Sequence, residues 1–90
     1  MDIESITDLI YGYFEDIVND DGAKDWDDFV KKGLVRFPED KYLWELSIKL
    51  TDDDIDSIDV DELKTEAVKI NDRGYPDSLK AAVSALLTIL

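Results

Sequence analysis

The chain has 90 residues with 23 acidic and 10 basic side chains, a formal net charge of −13, and neither His nor Cys. This composition excludes a thiol nucleophile, a disulfide framework, a Cys/His zinc site and a histidine general base. It also argues against direct binding of nucleic acid or of an anionic membrane surface, because both depend on clustered Lys and Arg.

The first predicted helix begins near Ser5 and carries an apolar stripe with helical spacing. The stripe consists of Ile6, Ile10, Tyr13, Phe14 and Ile17. Ser5 and Asp8 resemble a capping box at the start of this helix, and Gly22 ends it after a polar run. A short second helix is predicted over residues 25–32, with Gly33 as its C-terminal cap.

Residues 43–50 fit two patterns of secondary structure. Trp44, Leu46, Ile48 and Leu50 alternate with polar residues, as in a strand, whereas Leu43, Leu46 and Leu50 share one face of a helix. A helix is favoured because a single strand would have no partner, and Pro38 is then placed in its first turn. The α+β alternative, with a strand over Leu43–Leu50, stays open.

Three predicted capping residues divide the part of the chain from residue 51 to residue 90. Thr51 precedes a turn or short helix over residues 52–58, Asp59 begins a helix, and Asp77 begins the last helix. The last helix is apolar almost all round, which predicts a central core helix. The expected fold is therefore all-α, one domain over residues 1–90 formed by a single compact bundle of four to six short helices.

The ends of the chain bear on its location. The first residues, Met1–Glu4, lack the basic start and apolar run of a signal peptide. The longest apolar-rich stretch, Leu79–Leu90, is too short to span a bilayer. A cytoplasmic protein that does not contact a membrane is expected.

The excess negative charge is confined to two short segments. Residues 15–28 hold seven acids and one base, and residues 51–62 hold seven acids and no base; the remaining acids and bases cancel. Helix capping accounts for two or three acids in each segment, but not for seven. Charge of one sign concentrated in this way destabilises the folded state, so it favours a use in steering or binding a basic partner.

The second segment does not match a calcium loop, and the chain as a whole does not show the spacing of an activated serine. An EF-hand that starts at Asp52 would have Ser57 in place of Gly at position 6 and Leu63 in place of Glu at position 12. No Ser-x-x-Lys spacing is present to activate a serine without His. We therefore expect neither a metal site nor catalysis, and no cofactor.

Two strings resemble the serine motif of acyl and peptidyl carrier proteins. These small acidic helical proteins carry a phosphopantetheine arm on an Asp-Ser-Leu serine. Asp77-Ser78-Leu79 matches the tripeptide but lies too near the end of the chain, and Asp56-Ser57-Ile58 is better placed but has Ile for Leu. The resemblance covers the C-terminal third and implies modification of Ser57, which is the alternative to a protein-binding function.

The first helix carries a second, polar stripe on the face opposite the apolar one. It comprises Glu4, Asp8, Tyr11, Glu15 and Asn19, and Trp26 lies among acids in the same way. An exposed aromatic ring surrounded by acids is a common kind of binding hot spot for Lys and Arg. Tyr75 is a further candidate for exposure. The alternatives are that Tyr11 and Trp26 are partly buried edges of the core and that Tyr75 packs over the loop before Pro76. The predicted partner-binding residues are Asp8, Tyr11, Glu15, Asp20, Asp21, Asp25, Trp26, Asp28, Asp52, Asp53, Asp54, Asp56 and Asp59.

These features predict a stoichiometric protein inhibitor. In size, charge and helical class the chain is similar to small bacterial immunity proteins that neutralise nuclease toxins, and to phage-encoded DNA-mimic inhibitors. The expected partner is a basic protein, such as a toxin with a nucleic-acid-binding groove, and the chain itself is expected to be a monomer or a homodimer. The identity of the partner and a cellular or phage origin are left open by the residues.

Overall fold

The chain folds into helices that follow one another through short connections. A computed structural model describes residues 1–22, 26–33 and 35–90, apart from the side chains of Asp21 and Trp26. Within these ranges there are five α-helices and no β-strand, so the all-α prediction is confirmed and the strand alternative for residues 43–50 is wrong. The helices are α1 (Ile3–Asp21), α2 (Trp26–Lys31), α3 (Asp40–Thr51), α4 (Val60–Asp72) and α5 (Asp77–Ile89), with a 3-10 turn at Ile55–Ser57.

The core is formed by buried side chains of α1, α3, α4 and α5. Helix α1 packs against both α3 and α5, and α4 packs against α5. Helices α1 and α3 run antiparallel, because Tyr13 of α1 contacts the first residue of α3 while Ile3 and Leu50 lie together at the opposite end. The predicted stripe of α1 faces this core: Ile6, Ile10, Tyr13 and Phe14 are buried and Ile17 packs against them. Helix α5 buries Leu79, Ala82, Val83 and Leu86.

Several helix ends differ from the sequence predictions. Helix α1 begins at Ile3, and its cap is Asp2, whose carboxylate accepts from the N–H of Ser5. This hydrogen bond also lowers the pKa of Asp2. Thr51 is the last residue of α3 rather than a cap, and Asp77 is the first residue of α5 rather than the residue before it. Pro38 precedes α3, which starts at Asp40.

Other predicted ends are confirmed. The carboxylate of Asp59 accepts from the N–H groups of Asp61 and Glu62 and so caps α4. Gly22 ends α1 with φ at 75°, a left-handed conformation that a residue without Cβ adopts readily. None of the described helices is both long and apolar enough to cross a membrane.

A buried carboxylate, that of Asp40, joins three parts of the chain. Its Oδ1 accepts from the hydroxyl groups of Tyr75 (2.6 Å) and Tyr13 (3.4 Å). Its Oδ2 accepts from the backbone N–H groups of Arg36 (2.8 Å) and Phe37 (3.3 Å). Tyr75 is therefore buried, with 3% of its surface exposed, so it packs over the loop and is not exposed.

The neighbouring residue, Glu39, makes a second connection of the same kind. Its carboxylate is 3% exposed and lies 3.2 Å from Nε of Arg73, just after α4. Glu39 and Asp40 thus use two of the chain's acids to hold the start of α3 against the segment between α4 and α5. These two acids serve the fold and are not available to a partner.

We predict that Asp40→Asn destabilises the protein by about 2–4 kcal/mol. One of the two amide atoms is then a donor, so either the tyrosine hydroxyls or the backbone N–H groups lose their acceptor while buried. Urea unfolding followed by circular dichroism measures the change. Asp72→Asn, at an exposed position, is the matched control and should stay within about 0.5 kcal/mol of the parent. Equal losses in the two variants would contradict the role given to Asp40.

Stability should also fall at alkaline pH. Burial raises the pKa of Tyr13 and of Tyr75, and Asp40 raises both further. Above pH about 10 the unfolded chain releases tyrosine protons that the folded protein keeps. The free energy of unfolding then decreases by up to about 1.4 kcal/mol per pH unit for each tyrosine. Urea titrations between pH 8 and 11 should show this slope, and a Tyr13→Phe, Tyr75→Phe double variant should reduce it, leaving the smaller slope that comes from Tyr42, whose pKa is also raised by burial. An unchanged slope in that variant would exclude these two residues as the cause.

Candidate functional site

An open groove of about 760 Å³ lies between the first three turns of α1 and the C-terminal end of α3. Three of the predicted partner-binding residues, Asp8, Tyr11 and Asp53, line it together. Side chains spaced three or four residues apart on α1 form one wall, and the end of α3 forms the other. The full lining is Ile3, Glu4, Thr7, Asp8, Tyr11, Leu50, Thr51 and Asp53.

An aromatic pair, formed by the exposed Tyr11 and the half-buried Trp44, lies beside the acids of this groove. Tyr11 is 47% exposed, and its ring stacks on Trp44 of α3 with centroids 6.3 Å apart and an angle of 28° between the planes. Trp44 in turn makes an edge contact with the buried ring of Phe14 at 5.5 Å. Ile48, one turn further along α3, is exposed as well. We call Asp8, Tyr11, Trp44, Ile48 and Asp53 the aromatic–acidic surface.

Sequence reasoning identified Tyr11 but missed Trp44 and Ile48 as parts of the surface. Their spacing of four residues on a helix, away from the Leu43, Leu46 and Leu50 face, was the available signal. That signal could not be used while residues 43–50 also fitted a strand, because a strand places Trp44 and Leu46 on the same face.

Asp53 reaches the groove through an unusual backbone conformation. The N–H of Asp53 donates to the carbonyl of Leu50 and the N–H of Asp54 donates to that of Lys49, which is the Schellman pattern at a helix end. The residue in the left-handed position of this pattern is usually Gly, but here Asp53 occupies it with φ at 57°. An acid is therefore present where glycine would relieve backbone strain.

Most of the predicted carboxylates are exposed and without an ion-pair partner in the described part of the chain. The ion pairs there join Asp28 to Lys32, Glu66 to Lys69 and Glu39 to Arg73. Among the predicted residues only Asp28 takes part. Among the predicted residues, those that are exposed and have no Lys or Arg nitrogen within 4.0 Å, as far as the chain is described, are Asp8, Glu15, Asp20, Asp52, Asp53, Asp54, Asp56 and Asp59.

On α1, the acids of the first segment lie toward the end opposite the second segment. A rise of about 1.5 Å per helical residue separates Asp8 from Asp20 by roughly 18 Å, and the groove places Asp53 at the Asp8 end. The face of α1 that carries Glu4, Asp8, Tyr11, Glu15 and Asn19 is exposed along its length. This outer face of α1 therefore leads from Asp20 to the groove.

The remaining predicted residues have other surroundings. The carboxylate of Asp59 is used in capping α4. Asp25 and the side chains of Asp21 and Trp26 lie outside the described residues. Ser57, the alternative modification site, is exposed, and its hydroxyl donates to the carbonyl of Asp54.

The acids also affect groups on the far side of α3. Burial raises the pKa of Tyr42, and the charges of Glu62, Glu66 and Asp59 raise it further.

In the described part of the chain no three acidic side chains are arranged to hold a metal ion. The groove therefore offers separate carboxylates beside an aromatic face.

We predict that Asp53→Gly stabilises the protein by about 0.5–1 kcal/mol, because glycine adopts a positive φ without a Cβ penalty. Thermal or urea unfolding measures the change. The matched control is Asp52→Gly, since Asp52 has an ordinary φ of −83°, and that substitution should not stabilise. The same gain in both variants would show that relief of charge repulsion, rather than backbone strain, is responsible.

Comparison of the chain with models of protein families, with curated proteins and with solved structures finds no match.

Proposed function

We propose that this protein is a stoichiometric inhibitor that covers the basic, nucleic-acid-binding surface of a partner protein. An immunity protein that neutralises a nuclease-type toxin is the kind of protein we infer. It forms a complex and does no chemistry of its own. The partner is a protein rich in exposed Lys and Arg.

The observation that carries this proposal is the row of exposed carboxylates that have no ion pair within the described residues and lie beside the exposed side chains of Tyr11 and Ile48. Asp8 and Asp53 flank Tyr11 in the groove, and Tyr11 stacks on Trp44. A surface that served only to keep the protein in solution would not need rings among its acids. Tyr and Trp are the residues that most often dominate the energy of a protein–protein interface.

The acids and the rings have different tasks in this mechanism. The net charge of −13 attracts a basic protein over distances of about a Debye length, roughly 8 Å at physiological salt, and so accelerates encounter. Tyr11, Trp44 and Ile48 then lose contact with water in the complex, which slows dissociation. Carboxylates spaced along about 18 Å of α1 occupy the positions where the partner would otherwise hold phosphates.

The position of the surface also suits rapid binding. Tyr11 and Trp44 are anchored through Phe14, which is 2% exposed and belongs to the core between α1 and α3. A surface held on two packed helices changes little on binding, so little conformational entropy is lost when the complex forms.

In the first test, a tagged form of the chain captures the partner from the cells that produce the chain. The purified partner is then bound to a nucleic acid, and the chain is titrated into this complex. One equivalent of the chain should displace a fluorescent oligonucleotide from the purified partner, as followed by anisotropy. A partner that keeps its oligonucleotide bound in the presence of excess chain would overturn the proposal.

Reversal of charge should slow association selectively. We expect the double variant Asp52→Lys, Asp54→Lys to associate with the partner about tenfold more slowly than the parent at low salt. The control, Glu45→Lys with Asp72→Lys, makes the same change in net charge at exposed positions that do not line the groove and should have a smaller effect. Stopped-flow measurements at several salt concentrations provide the rates. Equal slowing by both pairs would mean that net charge alone, and not the second acidic segment, drives binding.

A further inference from the structure

The groove between α1 and the end of α3 has features that the proposed inhibition does not by itself require. It is concave, with a volume within the range of about 300–1,000 Å³ that is typical of ligand sites. Its lining includes the half-buried Ile3 and the buried Leu50, which we take as an apolar floor, and the exposed acids Glu4, Asp8 and Asp53, which we take as the rim. A flat acidic face would suffice for charge attraction. A concave site lined by both apolar and acidic residues is, in addition, suited to hold a single side chain with an apolar stem and a charged end.

We infer that this groove binds an arginine side chain from a basic segment of the partner protein. The inference rests on the proposed function, which supplies a basic partner as the source of the arginine. The preference for arginine over lysine follows from the groove itself. In this arrangement the aliphatic part of the arginine lies on the apolar floor and its guanidinium contacts the ring of Tyr11. The acids of the rim balance its charge.

Arginine fits these surroundings better than lysine for two physical reasons. A planar guanidinium is more weakly hydrated than an ammonium group and stacks on an aromatic face. It also presents several N–H donors in a fixed arrangement, so it can donate to carboxylates on two sides at once. Here the carboxylates come from both walls of the groove, with Asp8 on α1 and Asp53 after α3. Lysine offers a single charged point and gains less from the ring.

The test uses the full chain, labelled with ¹⁵N, and two synthetic peptides. The probes are the capped peptides Gly-Gly-Arg-Gly-Arg-Gly-Gly and its counterpart with two lysines. At low salt the arginine peptide should shift the backbone resonances of Asp8, Tyr11 and Asp53 and bind about threefold more tightly than the lysine peptide. Tyr11→Leu should remove this preference, whereas Tyr11→Phe should keep it.

The acids are tested in the same titration. Asp8→Asn with Asp53→Asn should weaken both peptides about tenfold, while Glu45→Gln with Asp72→Asn, which removes the same charge elsewhere, should have little effect. Equal affinity for the two peptides would overturn the inference. So would resonance shifts spread evenly over all the exposed acids.

These outcomes are separable from those of the inhibition experiment. Loss of the arginine preference leaves displacement of the oligonucleotide intact if charge alone drives inhibition. Conversely, a clear arginine site in a chain that displaces no oligonucleotide would refute the proposed function and retain the groove as a site for arginine-bearing segments.

Discussion

The carboxylate of Asp40 is the group on which the arrangement of the helices depends. It receives hydrogen bonds from α1, from the chain just before α3 and from the chain just before α5, through Tyr13, Arg36, Phe37 and Tyr75. Four donors satisfy both oxygens of a fully buried acid, which would otherwise carry a large desolvation penalty. Because α1 and α3 are thereby held antiparallel, the first turns of α1 meet the last turn of α3 and form the groove.

The second constraint is the charge of the whole chain. A domain of 90 residues with a net charge of −13 loses stability through repulsion between its carboxylates, and a small core can offset only a limited loss. The chain places Glu39 and Asp40 inside, where hydrogen bonds compensate them, and leaves the acids of residues 51–62 outside. The Asp at the left-handed position 53 adds local strain. Strain and repulsion that coincide at one groove are consistent with selection for binding at the expense of stability.

Much of the fold was predictable because it depends on local patterns. The stripe of Ile6, Ile10, Tyr13 and Phe14 predicted the buried face of α1, and Asp59 was recognised as a cap. Errors arose where two nearby residues suit the same position at the start of a helix. Asp2 and Ser5 are both good caps, and only the backbone geometry shows that Asp2 is the one used. Asp77 was predicted as the cap of the last helix, but it is the first helical residue and Pro76 precedes it. The exposure of Tyr75 was left open because its burial depends on an acid 35 residues away.

The sequence by itself determined that the protein is helical, that it contains neither His nor Cys, and that its excess charge lies in two segments. Those properties depend on composition and on the spacing of residues close together in the chain, so they can be predicted without the tertiary structure. Tertiary structure decided which acids are buried, which remain without ion pairs, and which meet an aromatic ring. Asp8, Trp44 and Asp53 come together only because α1 and α3 pack antiparallel. That packing follows from contacts between residues far apart in the chain, which no local pattern records.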